Sequence, residues 1–271
     1  MKNQSEIYRY MKRIVGLMIV TCCWSCQEVI HVDLNAALPK LIIDAGVSDQ
    51  PGPYTAVLSK TVSFDQNNVF PPVTDALVVI NDNAGNNDTL VEVNPGTYRT
   101  TTLQGVPGRT YTLTVISNNT VYSAISTMPL PVSIDTVITK NRFSSKDKML
   151  SVSFYDPKGI INYYRILEDV TNIQSNREQV SQPVLGTLMT DGLLDGTRIN
   201  LLTFNQPDLF TGDSVLVSLQ SIDQNVYNFF MSAVQTGNMS TTVSNPVTNI
   251  TNGALGYFSA YAVRSKKVYI Q

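Results

Sequence analysis

Few residues of this chain have side chains suited to chemistry, and most of those lie near its start. All three cysteines, Cys22, Cys23 and Cys26, fall within the first 26 residues, and the only histidine is His31. Thiolate and imidazole groups are the usual nucleophiles, general bases and zinc ligands of proteins. Because the long remainder of the chain has neither group, the sequence argues against a Ser-His-Asp or Cys-His mechanism and against zinc bound by nitrogen or sulfur.

Carboxylates are the remaining candidates for chemistry. Asp191 and Asp195 are each followed by glycine, and a glycosidase needs two carboxyl groups roughly 5–10 Å apart. The loop from Asp82 to Asp88 is rich in oxygen ligands for calcium, but it lacks the Asp-x-Asp spacing and a closing glutamate. Asp-Gly pairs are common in turns, so we expect a turn at 191–196 and a long hairpin loop at 82–88. The sequence predicts no bound metal and no cofactor.

The cysteines end a stretch with the three parts of a secretory signal. Lys12 and Arg13 supply the positive end, and residues 14–20 are almost wholly apolar. This apolar stretch is about half the roughly 20 residues that a membrane-spanning helix requires. Met11 opens a tidier signal than Met1, so either start remains open. The stretch therefore predicts export rather than a transmembrane anchor.

Bacterial lipoproteins are cut just before a cysteine that carries the lipid. Cys26 fits this site because the preceding Ser25 is small, while Cys22 is the competing position. An ordinary cleaved signal with incidental cysteines is the alternative. We expect a signal peptide at residues 1–25, a lipid on Cys26 and a tether at residues 26–39, with several acyl chains making the anchorage stable.

The charge balance limits the possible partners. The 271-residue chain has 19 basic and 21 acidic residues, and the leader holds four of the basic and one of the acidic ones, so the rest has a net charge near −5. This balance argues against nucleic acid and against a polybasic membrane patch. We expect the protein to lie at the cell outer membrane, held by its lipid, with the periplasmic and the surface face both open.

Alternating apolar and polar residues predict that the body is mainly β. Seven short strands predict a β-sandwich domain at residues 40–128. A proline-rich linker follows at residues 128–131, and renewed alternation predicts a second sandwich at residues 132–271. Helical spacing of apolar residues after the capping residue Asp223 predicts one helix near residues 223–235. Its aromatic stripe is expected to face the core rather than a ligand.

One segment near the C-terminus is a candidate interaction surface. Gly253 and Gly256 allow close backbone approach, Tyr257 and Phe258 place aromatic rings beside them, and Asn249 favours a turn. A structural role for the same residues, docking the helix on the second sandwich, is the favoured alternative.

Short stretches spread over the chain match one family in order and spacing. They are Cys26–Ile30, Pro39–Ile43, Pro53–Ser59, Pro72–Val78, Gly96–Tyr98, Pro107–Leu113, Asp156–Gly159, Tyr163–Arg165 and Asn249–Phe258. Through them the chain resembles a large family of Bacteroidota outer-membrane lipoproteins known as domain of unknown function number 4249. The first block is also similar to small transthyretin-like or Ig-like sandwiches, and the other block resembles a fibronectin-like sandwich with one inserted helix. The resemblance implies an outer-membrane lipoprotein often encoded beside a TonB-dependent receptor-like barrel, which we expect to be its partner, and it transfers no catalytic residue.

These observations together favour a binding or scaffold accessory over an enzyme. The first alternative is a carboxylate-based hydrolase that uses Asp191 and a second acid, which requires both carboxylates on one concave surface. The second is a purely structural or adhesion module, which an extended, rigid junction at residues 129–131 without a pocket would favour.

Overall fold

The described part of the chain is built almost wholly of β-strands. A computed structural model describes residues 38–63, 69–141, 148–171, 185–203, 209–238 and 245–271. The strands of the first half are β1 (Leu41–Ser48), β2 (Thr55–Lys60), β3 (Leu77–Asp82), β4 (Asn87–Thr89), β5 (Val91–Asn94), β6 (Thr97–Arg99), β7 (Thr110–Ser117) and β8 (Thr120–Thr127). Those of the second half are β9 (Ile134–Asn141), β10 (Lys148–Tyr155), β11 (Tyr163–Thr171), β12 (Thr187–Thr190), β13 (Arg198–Leu202), β14 (Ser214–Ile222) and β15 (Leu255–Tyr269). The mainly β, sandwich-class fold expected from the alternation is confirmed.

Within the described ranges these strands form three sheets. The largest has eight strands in the order β12-β11-β14-β15-β1-β2-β6-β5, and the smaller ones are β13-β10-β9 and β4-β3-β7-β8. Strand β1 pairs in parallel with β15, from Ile42 opposite Leu255 to Ser48 opposite Tyr261. The large sheet therefore takes four strands from each half of the chain.

Two hydrophobic cores lie on the inner face of the large sheet. The first joins apolar residues of β1, β2 and β6 to those of β3, β7 and β8, including Ile43, Leu58, Tyr98, Ile80, Leu113 and Val115. The second joins β11 and β14 to β10 and β13, including Tyr164, Ile166, Val217, Leu219, Leu150, Phe154 and Ile199. Strand β15 serves both, because Phe258 lies in the first core and Val268 packs against the second.

The predicted linker lies where one core gives way to the other. Met128 belongs to the first core and Val132 to the second, and residues 128–133 lie in no strand. Because the eight-stranded sheet continues across this boundary, the independence of the two predicted sandwich domains stays a prediction.

A helix covers one end of the outer face of the large sheet. This helix, α1 (Gln224–Asn238), lies where helical spacing predicted it. Asp223 caps its N-terminus by accepting a hydrogen bond from the Val226 N–H at 2.9 Å. Val226 and Phe230 are buried with Ile222, so the aromatic stripe packs on the sheet as expected. No helix among the described residues is long and apolar enough to cross a lipid bilayer.

Candidate functional site

A cavity of about 370 Å³ opens on the outer face of the large sheet, next to the residues under α1. Gly46 of β1 and Ser259 of β15 lie side by side in the sheet, while Tyr257 and Tyr261 stand on the same face because side chains alternate along a strand. A Cβ added at Gly46 would lie 3.3 Å from the Ser259 carbonyl oxygen and 3.4 Å from the Tyr261 ring. The cavity therefore forms because two small residues lie between two large ones.

Arg165 of β11 brings a buried positive charge to the cavity lining. Only 7% of its surface is exposed. Its Nε donates to the Leu185 carbonyl oxygen at 3.0 Å, and its Nη1 donates to Gln220 Oε1 at 3.3 Å. The guanidinium carbon lies 3.9 Å from the centre of the Phe230 ring, a favourable cation–π contact. Burial lowers the pKa of Arg165, although a guanidinium remains charged at neutral pH.

Asp44 of β1 supplies the opposite charge to the same cavity. Its side chain is exposed to solvent, yet the surrounding protein displaces enough water to raise its pKa. A hydrogen bond with Tyr257 and the charge of Arg165 offset this effect only in part. Burial, reinforced by the charge of Asp44, raises the pKa of Tyr257, so its hydroxyl is protonated at neutral pH and can donate to Asp44.

The remaining lining is polar or conformationally restricted. Apart from the small apolar Ala45, it consists of Ser48, Pro51, Pro53, Tyr54, Thr55 and Gln220. The Tyr54 hydroxyl donates to the Gln50 carbonyl oxygen at 2.6 Å and accepts from the Gly105 N–H at 2.9 Å. A fixed rim, several hydroxyls and two opposite charges make this a site suited to binding a small polar molecule.

The residues predicted as an interaction surface lie on β15 and the segment before it. Of the five, Tyr257 is the one that lines the cavity. The Asn249 side chain donates from Nδ2 to the Phe258 carbonyl oxygen at 2.8 Å and accepts the Phe258 N–H at its Oδ1 at 3.0 Å. Phe258 is itself buried in the first core. Asn249 and Phe258 therefore have the structural role that was the favoured alternative.

The two glycines of this segment differ in their surroundings. Gly256 has a φ of +92°, and an added Cβ would lie 2.0 Å from the Ile43 carbonyl oxygen, so β1 and β15 can meet here only if this residue is glycine. Gly253 has a φ of +76° in a turn, with open space where a side chain would be. Its interaction role stays a prediction.

Asp191 and Asp195 lie together, and a third acid, Asp156, joins them. One carboxylate oxygen from each lies within 4.8 Å of the others, a spacing that suits a divalent cation or a pair of catalytic acids. Asp156 and Asp191, however, are only 5% and 2% exposed. Asp156 accepts hydrogen bonds from the Tyr164 hydroxyl at 2.5 Å and the Gly196 N–H at 3.0 Å.

The other two acids are bound by the chain in the same way. Asp191 accepts the Asn162 N–H at 3.0 Å, and Asp195 accepts the Gly159 N–H at 2.6 Å. Residues 192–194 form a single turn of 3-10 helix, so the predicted turn is present. Through these hydrogen bonds the three acids connect this turn to the turn before β11. None of the three acids lines the cavity, and none of their hydrogen-bond partners given above does so.

The Asp82–Asp88 loop also binds its acids internally. Asp82 accepts hydrogen bonds from Asn86 and forms an ion pair of 2.8 Å with Arg109. Burial by itself would raise the pKa of Asp82, but these bonds outweigh it and the pKa is lowered. Asp88 accepts the backbone N–H groups of residues 101–103. The hairpin expected here is present between β3 and β4, but its loop is residues 83–86 only, shorter than predicted, because Asp82 and Asp88 both belong to the paired strands.

Cys26 and His31 lie outside the described residues, so the lipidation site stays a prediction. Sequence reasoning missed Asp44 and Arg165 as site residues. Arg165 did carry a signal, because it is a charged residue in a strand, Tyr163–Leu167, whose two faces are both largely apolar.

Comparisons with known proteins identify the family of the chain that forms this cavity. No curated protein matches the chain significantly. The model of the family described as Domain of unknown function (DUF4249) matches residues 27–267, a range that includes every residue of the cavity lining. The chain therefore belongs to the DUF4249 family.

Proposed function

We propose that this protein is an outer-membrane lipoprotein that binds a small polar ligand and assists its uptake by a TonB-dependent receptor-like barrel. The observation that carries the binding role is the cavity on the large sheet, where buried Arg165 and exposed Asp44 line one space of about 370 Å³. Leu185, Gln220 and Phe230 compensate the cost of burying Arg165, and its position in the lining lets a bound molecule meet that charge.

The anchor and the compartment are supported by the N-terminal sequence. The predicted signal peptide ends just before Cys26, and residues 26–39 are long enough for a tether between lipid and body. The resemblance to Bacteroidota lipoproteins supports the outer membrane of such bacteria as the location and a barrel as the partner.

Lipidation can be tested by mass spectrometry of the protein purified from membranes. We expect Cys26→Ser to lose the acyl mass and the lipid-dependent membrane association, because the proposed lipid is attached through the Cys26 thiol and its acyl chains supply the anchorage. Cys22→Ser is the matched control and should retain both. If Cys22→Ser instead loses the acyl mass and Cys26→Ser retains it, the lipid is on Cys22. If the wild type carries no acyl mass at either cysteine, the protein is secreted without a lipid.

The barrel partner can be tested by affinity purification of the native lipoprotein in mild detergent. We expect a TonB-dependent receptor-like barrel to co-purify with the wild type. Recovery of no barrel would remove the receptor part of the proposal and leave the binding part. Protease treatment of intact cells would then show which face of the membrane carries the body, since full protection would mean the periplasm.

The hydrolase alternative depends on the Asp156, Asp191 and Asp195 group. Their spacing is suitable, but two of them are buried and all three accept hydrogen bonds from the chain. A general acid or base must reach its substrate. This geometry supports the binding role over a carboxylate-based hydrolase.

A further inference from the structure

We infer that the ligand of this cavity is a small zwitterion of amino-acid or dipeptide size, with its ammonium group at Asp44 and its anionic group towards Arg165. The inference rests on the proposed function, because it names the ligand class of the same site.

The first argument is the pair of opposite charges. Arg165 and Asp44 lie on different strands, β11 and β1, and both line the one cavity. A ligand with only a negative charge would meet repulsion from Asp44, and one with only a positive charge would meet repulsion from Arg165. Charge effects are strengthened where water is displaced, as it is around both groups. Tyr257 hydrogen-bonds with both Asp44 and Arg165, so a small molecule that carries both charges can reach both groups.

The second argument is the placement of hydrogen-bond donors. Burial raises the pKa of both Tyr257 and Tyr261, so both hydroxyls are protonated at neutral pH. The Tyr257 hydroxyl can donate to Asp44, while Ser259 and Tyr261 bring two further hydroxyls of β15 to the lining, and Tyr261 is close enough to Arg165 to feel its charge. An anionic group there would be bound by donors beside a fixed positive charge, and such charge-assisted bonds are among the strongest in proteins.

The third argument is size. Ligand cavities commonly measure roughly 300–1,000 Å³, and this one, at about 370 Å³, lies near the small end. The lining is formed by strand residues, two prolines, Pro51 and Pro53, and Tyr54, whose hydroxyl is bonded to the backbone at both sides, which leaves little scope for widening. A free amino acid or a dipeptide suits such a volume better than a longer chain.

Calorimetric titration of the full-length lipoprotein in detergent tests the inference. The probes are alanyl-alanine as zwitterion, its N-acetyl form as anion, its C-terminal amide as cation, and maltose as neutral molecule. We expect alanyl-alanine to bind at least about tenfold more tightly than each of the other three. Asp44→Asn should weaken the zwitterion by about tenfold and leave the N-acetyl form unchanged or improved, since it removes the repulsion.

The control is Asp169→Asn, which makes the same change of charge at an exposed position of β11 outside the cavity lining and should leave every affinity unchanged. Tighter binding of maltose or of either capped form than of the zwitterion would overturn the inference, and so would binding of none of the four at millimolar concentration. The variant Gly46→Val, whose side chain fills part of the cavity, tests whether the cavity is a binding site at all. It therefore distinguishes an error in the ligand class from an error in the proposed function. If the proposed function holds, this variant weakens the binding of whichever of the four probes the wild type binds; if it binds that probe as tightly as the wild type does, the cavity is not the site.

Discussion

At the scale of single residues, the most unusual group outside the cavity is Glu168. It lies on β11 with its side chain towards the second core, and only 1% of its surface is exposed. Neither of its carboxylate oxygens has a hydrogen-bond partner among the described residues. Thr203 is close enough to offset part of the cost, yet its hydroxyl donates to the Leu150 carbonyl oxygen at 3.2 Å. Burial therefore raises the pKa of Glu168 to about 7.

This raised pKa predicts a loss of stability as the pH increases. The folded state holds the proton more tightly than the unfolded state, whose glutamate has its ordinary value of 4.5. The destabilisation is absent below pH 4.5, grows as the pH rises towards 7, and is complete above that, at about 3 kcal/mol. Glu168→Gln should remove it, so the variant should gain stability relative to the wild type at pH 8 but not at pH 4.

Urea unfolding of both proteins at several pH values measures this difference. Asp169→Asn, at the exposed next position of the same strand, is the control and should follow the wild type. A constant difference between wild type and Glu168→Gln across the pH range would show that folding does not change the pKa of Glu168.

At the scale of elements, β15 is supported differently along its two halves. From Ala262 onwards it pairs with β14, while its first half pairs with β1 on one side only among the described strands. On the other side of this first half of β15, side chains form the hydrogen bonds to its backbone. Thr248 Oγ1 donates to the Gly256 carbonyl oxygen, Asn249 binds both backbone groups of Phe258, and Ser126 Oγ accepts the Ala260 N–H, all at 2.8–3.0 Å. These side chains satisfy backbone groups that a missing strand would otherwise pair with.

Removal of this side-chain support should destabilise the protein. Asn249→Ala leaves the N–H and C=O of buried Phe258 without partners, and we expect a loss of about 2 kcal/mol in the free energy of unfolding. Asn245→Ala, at an exposed position four residues earlier, should change it by less than about 0.5 kcal/mol. Equal effects of the two substitutions in denaturant unfolding would contradict this role for Asn249.

The elements themselves were largely predictable from the sequence, but their pairing was not. Alternation shows which face of a strand is buried, as it does for Leu41–Ser48, without showing which strand lies beside it. Gly256 shows the limit: its need for glycine comes from the Ile43 carbonyl oxygen of a strand far away in sequence. The cavity was hidden for the same reason, since Asp44 and Arg165 meet only once β1, β15, β14 and β11 are side by side.

At the scale of the whole molecule, the two halves of the chain share one sheet. The sequence predicted two sandwiches with a boundary at residues 128–132, and two cores do lie on either side of it. The cavity, however, combines Asp44 from the first half with Arg165 from the second. A site assembled from both halves requires that they keep a fixed relation, which the continuous sheet provides.

We therefore expect the two cores to unfold in one transition. Leu113→Ala in the first core and Val217→Ala in the second should each lower the same single melting temperature, because each large-to-small change costs about 2–4 kcal/mol and β15 couples the cores. Hydrogen exchange of peptides from β7 and β14 during thermal unfolding measures each core separately. Two transitions, each shifted by one substitution only, would show that the halves are independent domains.

The parallel pairing of β1 with β15 also determines when the fold can be completed. Ile42 and Leu255 are separated by on the order of 200 residues, and contacts so distant in sequence form slowly because a long loop must close first. During synthesis, which starts at the N-terminal end, β1 emerges before the other described strands and its neighbour β15 emerges after them. One edge of β1 therefore remains unpaired until β15 has been made, and an unpaired edge can pair with the wrong strand. Correct folding depends on protection of that edge until β15 pairs with it.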